Sequence, residues 1–233
     1  MIERYFYSIW TLIFFFIWFA LYIHRKDLRK EMLFVSFIFG IAGIASQYIY
    51  LKDWWKPMTL TGTAIGIEDF LIGMFIGGIA AVIYEEIYKK KIRFRSSKKS
   101  HLIFYCILNS LAICFLFFGS FYLLRLNSFY SSLITFLVPT FFIWFKRKDL
   151  IKPSLISGIL MLIIGTLVYF VLFLVLPDYF HIFWYLKETW FASLFLGIPL
   201  GEYIWFFLAG MAISPLYEFW QEARLIKIRT TDR

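Results

Sequence analysis

Seven long apolar stretches restrict this chain to one class of fold. They lie at about 5–23, 32–50, 65–88, 102–124, 129–145, 154–176 and 192–219, and each is near or above the roughly 17–25 residues with which a helix crosses a bilayer. Because 61% of the residues are hydrophobic, a soluble fold would expose large apolar patches, which lipid accepts and water does not. We therefore predict an all-α, multi-pass protein of the cell membrane with about seven transmembrane helices.

Basic residues alternate between the two sides of the predicted spans. Of the 24 Lys and Arg residues, 19 lie in the loops after the first, third and fifth stretches or follow the seventh. By the positive-inside rule this places the N-terminus outside and the C-terminus in the cytoplasm. The most basic segment, 89–99, lies between two spans, so we expect it to bind anionic membrane lipid and no nucleic acid.

Two internal echoes indicate a duplicated unit. Residues 24–30 resemble 146–152 at an offset of 122, and residues 67–86 resemble 200–219 at an offset of 133. Both echoes fall at equivalent spans, which is typical of membrane proteins built from parallel repeats. We predict a 3+1+3 organisation: a three-helix repeat at 1–100, a linker helix at 101–126, and a second repeat at 127–233.

Carboxyl side chains recur at matching positions inside these stretches. Asp69 corresponds to Glu202 under the second offset, and Glu68 precedes Asp69. Charged residues within spans are costly and usually face a cavity or a partner, so all three are candidate catalytic residues. The alternative is that they only stabilise helix N-termini, where the helix dipole favours acidic groups.

Aromatic side chains surround the same positions, namely Phe70, Tyr203, Trp205 and Phe206. A carboxyl group held among rings loses hydration, which favours its neutral form and suits a general acid. Aromatic faces also stabilise cations. The histidines are scattered at the ends of stretches and the two cysteines lack zinc-ligand spacing, so we predict no metal and no cofactor.

Three local patterns carry a resemblance to a known family. They are Asp53-Trp54-Trp55-Lys56-Pro57, Ile67-Glu68-Asp69-Phe70-Leu71, and Pro199-Leu200-Gly201-Glu202-Tyr203 followed by Pro215-Leu216-Tyr217-Glu218-Phe219-Trp220. In this order within a duplicated unit, they resemble the lycopene cyclase domain family of carotenoid biosynthesis, of the small non-flavin type. The family pattern resembles Pro-x-Glu-Glu at the start of the third helix of each repeat. Here Gly66 stands at the first proline and Gly201 at one of the acids.

The resemblance implies an acid-catalysed, redox-neutral cyclisation of the end groups of a linear carotene, an intramolecular lyase or isomerase reaction. It implies that Asp69 and Glu202, and then Glu68, are the catalytic residues. The substrate-binding residues would be Phe70, Tyr84, Tyr203, Trp205, Phe206 and Tyr217. The expected partner is a lipid-soluble polyene or isoprenoid, and the oligomeric state stays open.

Other functions remain open at this point. A small-solute transporter of 3+1+3 architecture has the same helix arrangement, although the prolines do not fall at repeated mid-span positions. A divergent member of the family could modify or bind another isoprenoid, or act as a structural partner subunit. A retinal-binding receptor would need a lysine within a span, and residues 190–220 contain none.

Overall fold

Helices make up most of the structure, which is a computed structural model and describes residues 3–94, 102–184 and 189–227. The longer helices are α1 (Glu3–His24), α2 (Arg29–Asp53), α3 (Ile67–Ile87), α4 (Leu102–Tyr122), α5 (Ser128–Lys146), α6 (Ile151–Phe173) and α8 (Leu200–Ile213). Two short helices, α7 (Tyr179–Phe183) and α9 (Leu216–Trp220), and four short strands, β1 (Lys90–Arg93), β2 (Leu194–Phe195), β3 (Ile198–Pro199) and β4 (Arg224–Lys227), complete it. The predicted all-α class is confirmed.

Five helical segments are long and apolar enough to cross a membrane: Tyr5–His24, Arg29–Asp53, Ile67–Ile87, Ser128–Lys146 and Lys148–Phe173. The linker helix adds a shorter apolar segment, Cys106–Tyr122. These helices support a multi-pass membrane protein, while the number of seven spans stays a prediction.

The last predicted stretch, 192–219, differs most from the structure. Its helix begins only at Leu200, because β2 and β3 form a hairpin in which Gly197 has a φ of +81°. The helix ends at Ile213, and α9 restarts after Pro215. A proline lacks the N–H that would continue the helical hydrogen bonds, so the chain bends at this point.

The contacts of α2 with α3 and of α6 with α8 are the most extensive between helices, and both use glycine. A Cβ on Gly77 would collide with Phe39 of α2, and a Cβ on Gly210 would collide with Met161 of α6. Small residues let helix backbones approach closely within a membrane. The two glycines are 133 residues apart and their partners 122 apart, which are the two offsets of the sequence echoes.

One end of the bundle, here called the basic end, contains the turns that follow α1 and α5. Arg25 donates to both carboxylate oxygens of Asp27, at 2.9 and 2.8 Å. Arg147 binds Asp149 in the same two-pronged way, at 2.8 and 2.7 Å. Burial opposes the charge of Asp27, but the hydrogen bonds and positive charge of Arg25 outweigh it and hold the pKa of Asp27 below its usual value.

Each of these guanidinium groups also binds a backbone carbonyl, that of Lys90 in the first half and that of Ala223 in the second. These carbonyls precede or begin β1 and β4, which pair antiparallel with Ile92 opposite Leu225. Both pairs of residues are 133 apart in the sequence. The echoed segments therefore make the same contacts at the basic end.

Candidate active site

A cavity of about 190 Å³ extends into the bundle among α2, α3, α5, α6 and α8. Its wall is apolar and aromatic, and five of the nine tryptophans line it: Trp10, Trp54, Trp55, Trp184 and Trp205. Both Asp69 and Glu202 reach this wall. Two carboxyl groups are therefore held in one chamber that is otherwise largely without charge.

Asp69 lies in the first turn of α3 and is 1% exposed. Its Oδ1 accepts a hydrogen bond from the Tyr7 hydroxyl of α1 at 2.6 Å, and its Oδ2 accepts one from the Gly66 backbone N–H at 2.7 Å. The second bond is half of a capping box, in which the third helical residue binds the N–H of the residue before the helix. It depends on glycine at position 66, since a proline has no N–H to donate.

Glu202 occupies the same position in the first turn of α8 but makes different contacts. The residue before this helix is Pro199, so the capping bond of Asp69 is impossible here. The side chain instead points into the cavity, where its Oε1 accepts hydrogen bonds from Trp54 Nε1 at 2.8 Å and Trp184 Nε1 at 3.1 Å. Its Oε2 accepts one from the Tyr169 hydroxyl at 2.8 Å.

The loops that carry the two indoles are joined to each other. Trp55 and Trp184 form an antiparallel bridge, and the Lys56 N–H donates to the Phe183 carbonyl at 3.0 Å. Trp54 and Trp184 meet edge to face at 6.1 Å. This junction of the loops after α2 and α6 fixes both donors on Glu202.

Glu68, the third candidate acid, does not line the cavity. Its Oε1 accepts hydrogen bonds from the Leu60 N–H at 2.7 Å and from the Ser8 hydroxyl at 3.1 Å. These bonds tie the loop before α3 to that helix and to α1. Its counterpart, Gly201, is buried beside Phe191, so the second half has no acid at this position.

Of the six aromatic residues expected to bind substrate, Trp205 and Phe206 line the cavity. The Tyr203 hydroxyl donates instead to the Phe195 carbonyl at 2.8 Å, outside the cavity. Phe70 packs against α2, where its ring would meet a Cβ placed on Gly40.

The two tyrosines expected in the tunnel lie near the basic end. Tyr84 stacks on Tyr88 at 4.7 Å, and Tyr217 contacts Phe34 at 6.0 Å. Neither lines the cavity. They stand 15 residues beyond the acids on the same helices, about 22 Å at 1.5 Å per residue.

Several cavity residues were not singled out as site residues from the sequence. Trp10 stacks on Tyr169 at 5.8 Å and meets Trp55 edge to face at 5.4 Å. The adjacent tryptophans at 54 and 55 were a signal for two of these residues, because they form one of the patterns shared with the family. Nothing in the local sequence distinguishes Trp10, Tyr169 or Trp184 from the many lipid-facing aromatic residues.

A second group of acids is buried near the basic end. Glu31, Glu85 and Glu218 are at most 1% exposed, and their oxygens have no hydrogen-bond donor among the described residues. Glu85 and Glu218 face each other, and a shared proton would supply the hydrogen bond that two ionised carboxylates cannot form. This group is separate from the cavity.

No group of three or more His, Cys, Asp or Glu side chains within residues 3–94, 102–184 and 189–227 has the arrangement of a metal site. The cavity supplies donors and rings around two carboxyl groups. Such an arrangement can move a proton and can stabilise a transient positive charge.

Comparison with known proteins identifies one family. A family model described as Lycopene cyclase matches residues 4–87 and 127–220, more than half of the chain. The first matched range contains Asp69 and the second contains Glu202, while α4 lies outside both. Searches of curated proteins and of solved structures found no match.

Proposed function

Because this chain belongs to the lycopene cyclase family, we propose that it cyclises the end group of a linear carotene within the membrane, using Asp69 and Glu202. Family membership supports a cyclase-like role in carotenoid biosynthesis and a lipid-soluble isoprenoid substrate. The observation that carries the specific assignment is that two acids from equivalent helix starts line one aromatic cavity.

Asp69 is the proton donor in this proposal. Its partner on Oδ1 is the Tyr7 hydroxyl at 2.6 Å, and a tyrosine hydroxyl can either donate or accept. The hydrogen bond therefore survives when Asp69 carries a proton on that oxygen. The proton passes to the terminal double bond of the carotene and leaves a tertiary carbocation.

Glu202 is the negative group that faces this cation. An indole nitrogen can only donate a hydrogen bond, so Oε1, which accepts from Trp54 and Trp184, stays without a proton in this arrangement. An internal double bond attacks the cation and closes the ring. Glu202 then removes a ring proton through Oε2, where Tyr169 can reverse its hydrogen bond.

The sequence of steps conserves atoms and electrons. One proton is added, one carbon–carbon bond forms at the expense of a double bond, and one proton leaves, so that the product is an isomer of the substrate. The proton must then return from Glu202 to Asp69 before the next turnover. Rings such as Trp10, Trp55 and Phe206 line the chamber, where they stabilise the cation and exclude water that would capture it.

The test is expression in a host that accumulates lycopene, with pigments separated by chromatography. We expect a cyclic product from the unmodified chain and none from Asp69→Asn or Glu202→Gln, at equal protein levels in the membrane. Glu222→Gln is the matched control, because Glu222 is exposed and outside the cavity. Lycopene left unchanged by the unmodified chain contradicts cyclisation, and conversion that survives both substitutions contradicts the site.

We further propose that the chain arose from a duplicated three-helix unit joined by α4, with the basic end in the cytoplasm. The matching contacts of Arg25 and Arg147 support the duplication, and the distribution of basic residues supports the orientation. Reporter fusions after His24 and after Lys227 test the orientation. Both should report the cytoplasm, and an opposite result at either position would exclude this topology.

A further inference from the structure

The linker helix α4 forms part of the cavity wall, although it lies outside both ranges that match the family. Four of its residues face the cavity: Ile113, Cys114, Phe117 and Phe118. Everything else on the wall comes from the two matched ranges. A helix that is not part of the family pattern therefore closes one side of the chamber that holds the two acids.

Contacts between α4 and α2 occur near the ends of the helices. At the end opposite the basic end, Phe117 meets Tyr50 at 5.5 Å and Tyr122 accepts a hydrogen bond from Lys52 at 2.8 Å. At the basic end, Cys106 packs in a cluster that includes Phe34. Apart from these, α4 packs mainly against α5.

Between these contacts the cavity opens to the outside. Ala42 of α2 and Cys114 of α4 are the cavity-lining residues that are also exposed, whereas the others on the wall are buried or half-buried. They lie 13 and 12 residues from the starts of their helices at the basic end, about 18–20 Å along each axis. In a hydrocarbon core of roughly 30 Å this is near the middle of the bilayer.

We propose that the gap between Ala42 and Cys114 is a lateral entrance through which a linear polyene passes from the lipid into the cavity. This inference rests on the proposed function. A polyene dissolved among lipid tails reaches this gap without crossing water, and the side chains at the opening are small and uncharged. α4 then determines which hydrocarbon chains enter.

The length of the cavity supports the same conclusion. It extends along α8 from Glu202 to Ile213, which is about 16 Å at 1.5 Å per residue. A linear carotene is longer than this space, so only one end group and part of the chain fit beside the acids. The remainder extends through the gap into the bilayer, and the second end group would enter after the molecule has turned around.

The test adds one bulky ring at the gap and one beside it on each helix. Ala42→Phe and Cys114→Phe fill the opening, while Ile41→Phe and Leu111→Phe place the same ring at lipid-facing positions outside the cavity. We expect the first two variants to convert lycopene about tenfold or more slowly than the second two. A binding measurement accompanies this assay: visible circular dichroism of lycopene in nanodiscs, because the achiral polyene gains a signal only in an asymmetric site.

The two readouts separate this inference from the proposed function. Loss of the dichroism signal in Ala42→Phe and Cys114→Phe, with retention in both controls, supports the entrance even if the unmodified chain forms no cyclic product. Equal signals in all four variants, or no signal from the unmodified chain, would overturn it. Equal conversion by all four variants would also overturn it while leaving the cyclase proposal intact.

Discussion

Trp54→Phe is the substitution that most directly tests the role of hydrogen bonding at Glu202. Trp54 is 4% exposed and donates from Nε1 to Glu202 Oε1 at 2.8 Å. Phenylalanine keeps an aromatic ring but has no donor. The carboxyl oxygen would then be held by Trp184 alone, at 3.1 Å, and would have less support when it faces a cation.

The expected size of the effect follows from this single bond. A hydrogen bond to a charged group contributes about 1.5–3 kcal/mol, which corresponds to a rate factor of about 10- to 150-fold if the whole contribution acts in the transition state. Part of the bond also stabilises the resting enzyme, so the lower half of this range is expected. The smaller ring adds a packing cost, which a control must measure.

Trp10→Phe is that control. Trp10 lines the same cavity and is similarly buried, but its Nε1 has no hydrogen-bond partner among the described residues. This substitution makes the same change of ring and removes no hydrogen bond. The assay is the initial rate of ring formation from lycopene in nanodiscs, at equal amounts of folded protein. Equal losses in Trp54→Phe and Trp10→Phe would refute the role of the bond, since ring volume alone would then explain both.

Three further results are expected. Glu68→Gln should convert lycopene at close to the unmodified rate, because Glu68 lies outside the cavity and the amide oxygen can still accept from the loop; a loss as large as that of Asp69→Asn would place Glu68 in the chemistry. Gly73→Ala should lower the melting temperature, because a Cβ there would collide with the backbone of α2, whereas at Gly119 it would meet only one atom, at 3.9 Å, so Gly119→Ala is the control in thermal unfolding. The low pKa of Asp27 in the folded state means that its pairing with Arg25 stabilises the fold above about pH 4 and is lost as the pH falls through the folded pKa; the difference in melting temperature between the unmodified chain and Asp27→Asn should therefore shrink towards acid pH, and a constant difference would contradict this.

Much of the helix arrangement could be predicted from the sequence because the bilayer imposes a minimum length on apolar segments. The first three stretches became α1, α2 and α3 with shifts of only a few residues at their ends. The last stretch could not be predicted in the same way. Hydrophobicity does not distinguish a buried hairpin with a left-handed residue at Gly197 from the helix that begins at Leu200.

The candidate site divides along similar lines. Asp69 and Glu202 could be identified because a carboxyl group in an apolar stretch is rare and the repeat aligns the two. Their partners could not be identified, since the contact of Trp54 with Glu202 spans 148 residues and that of Tyr7 with Asp69 spans 62. Such contacts are decided by helix packing, which leaves no local pattern in a chain where aromatic residues are common on every surface.

The departures from the family pattern have a physical explanation in the two helix starts. Glycine in place of proline at position 66 supplies the N–H that binds Asp69 Oδ2, whereas Pro199 cannot donate and leaves Glu202 free to meet two indoles. Two acids that began as equivalents of one another therefore have different hydrogen-bond donors. An acid–base cycle needs this difference, because one group must release a proton while the other stays ionised. A perfectly symmetric pair would give the enzyme no means of deciding which acid acts first.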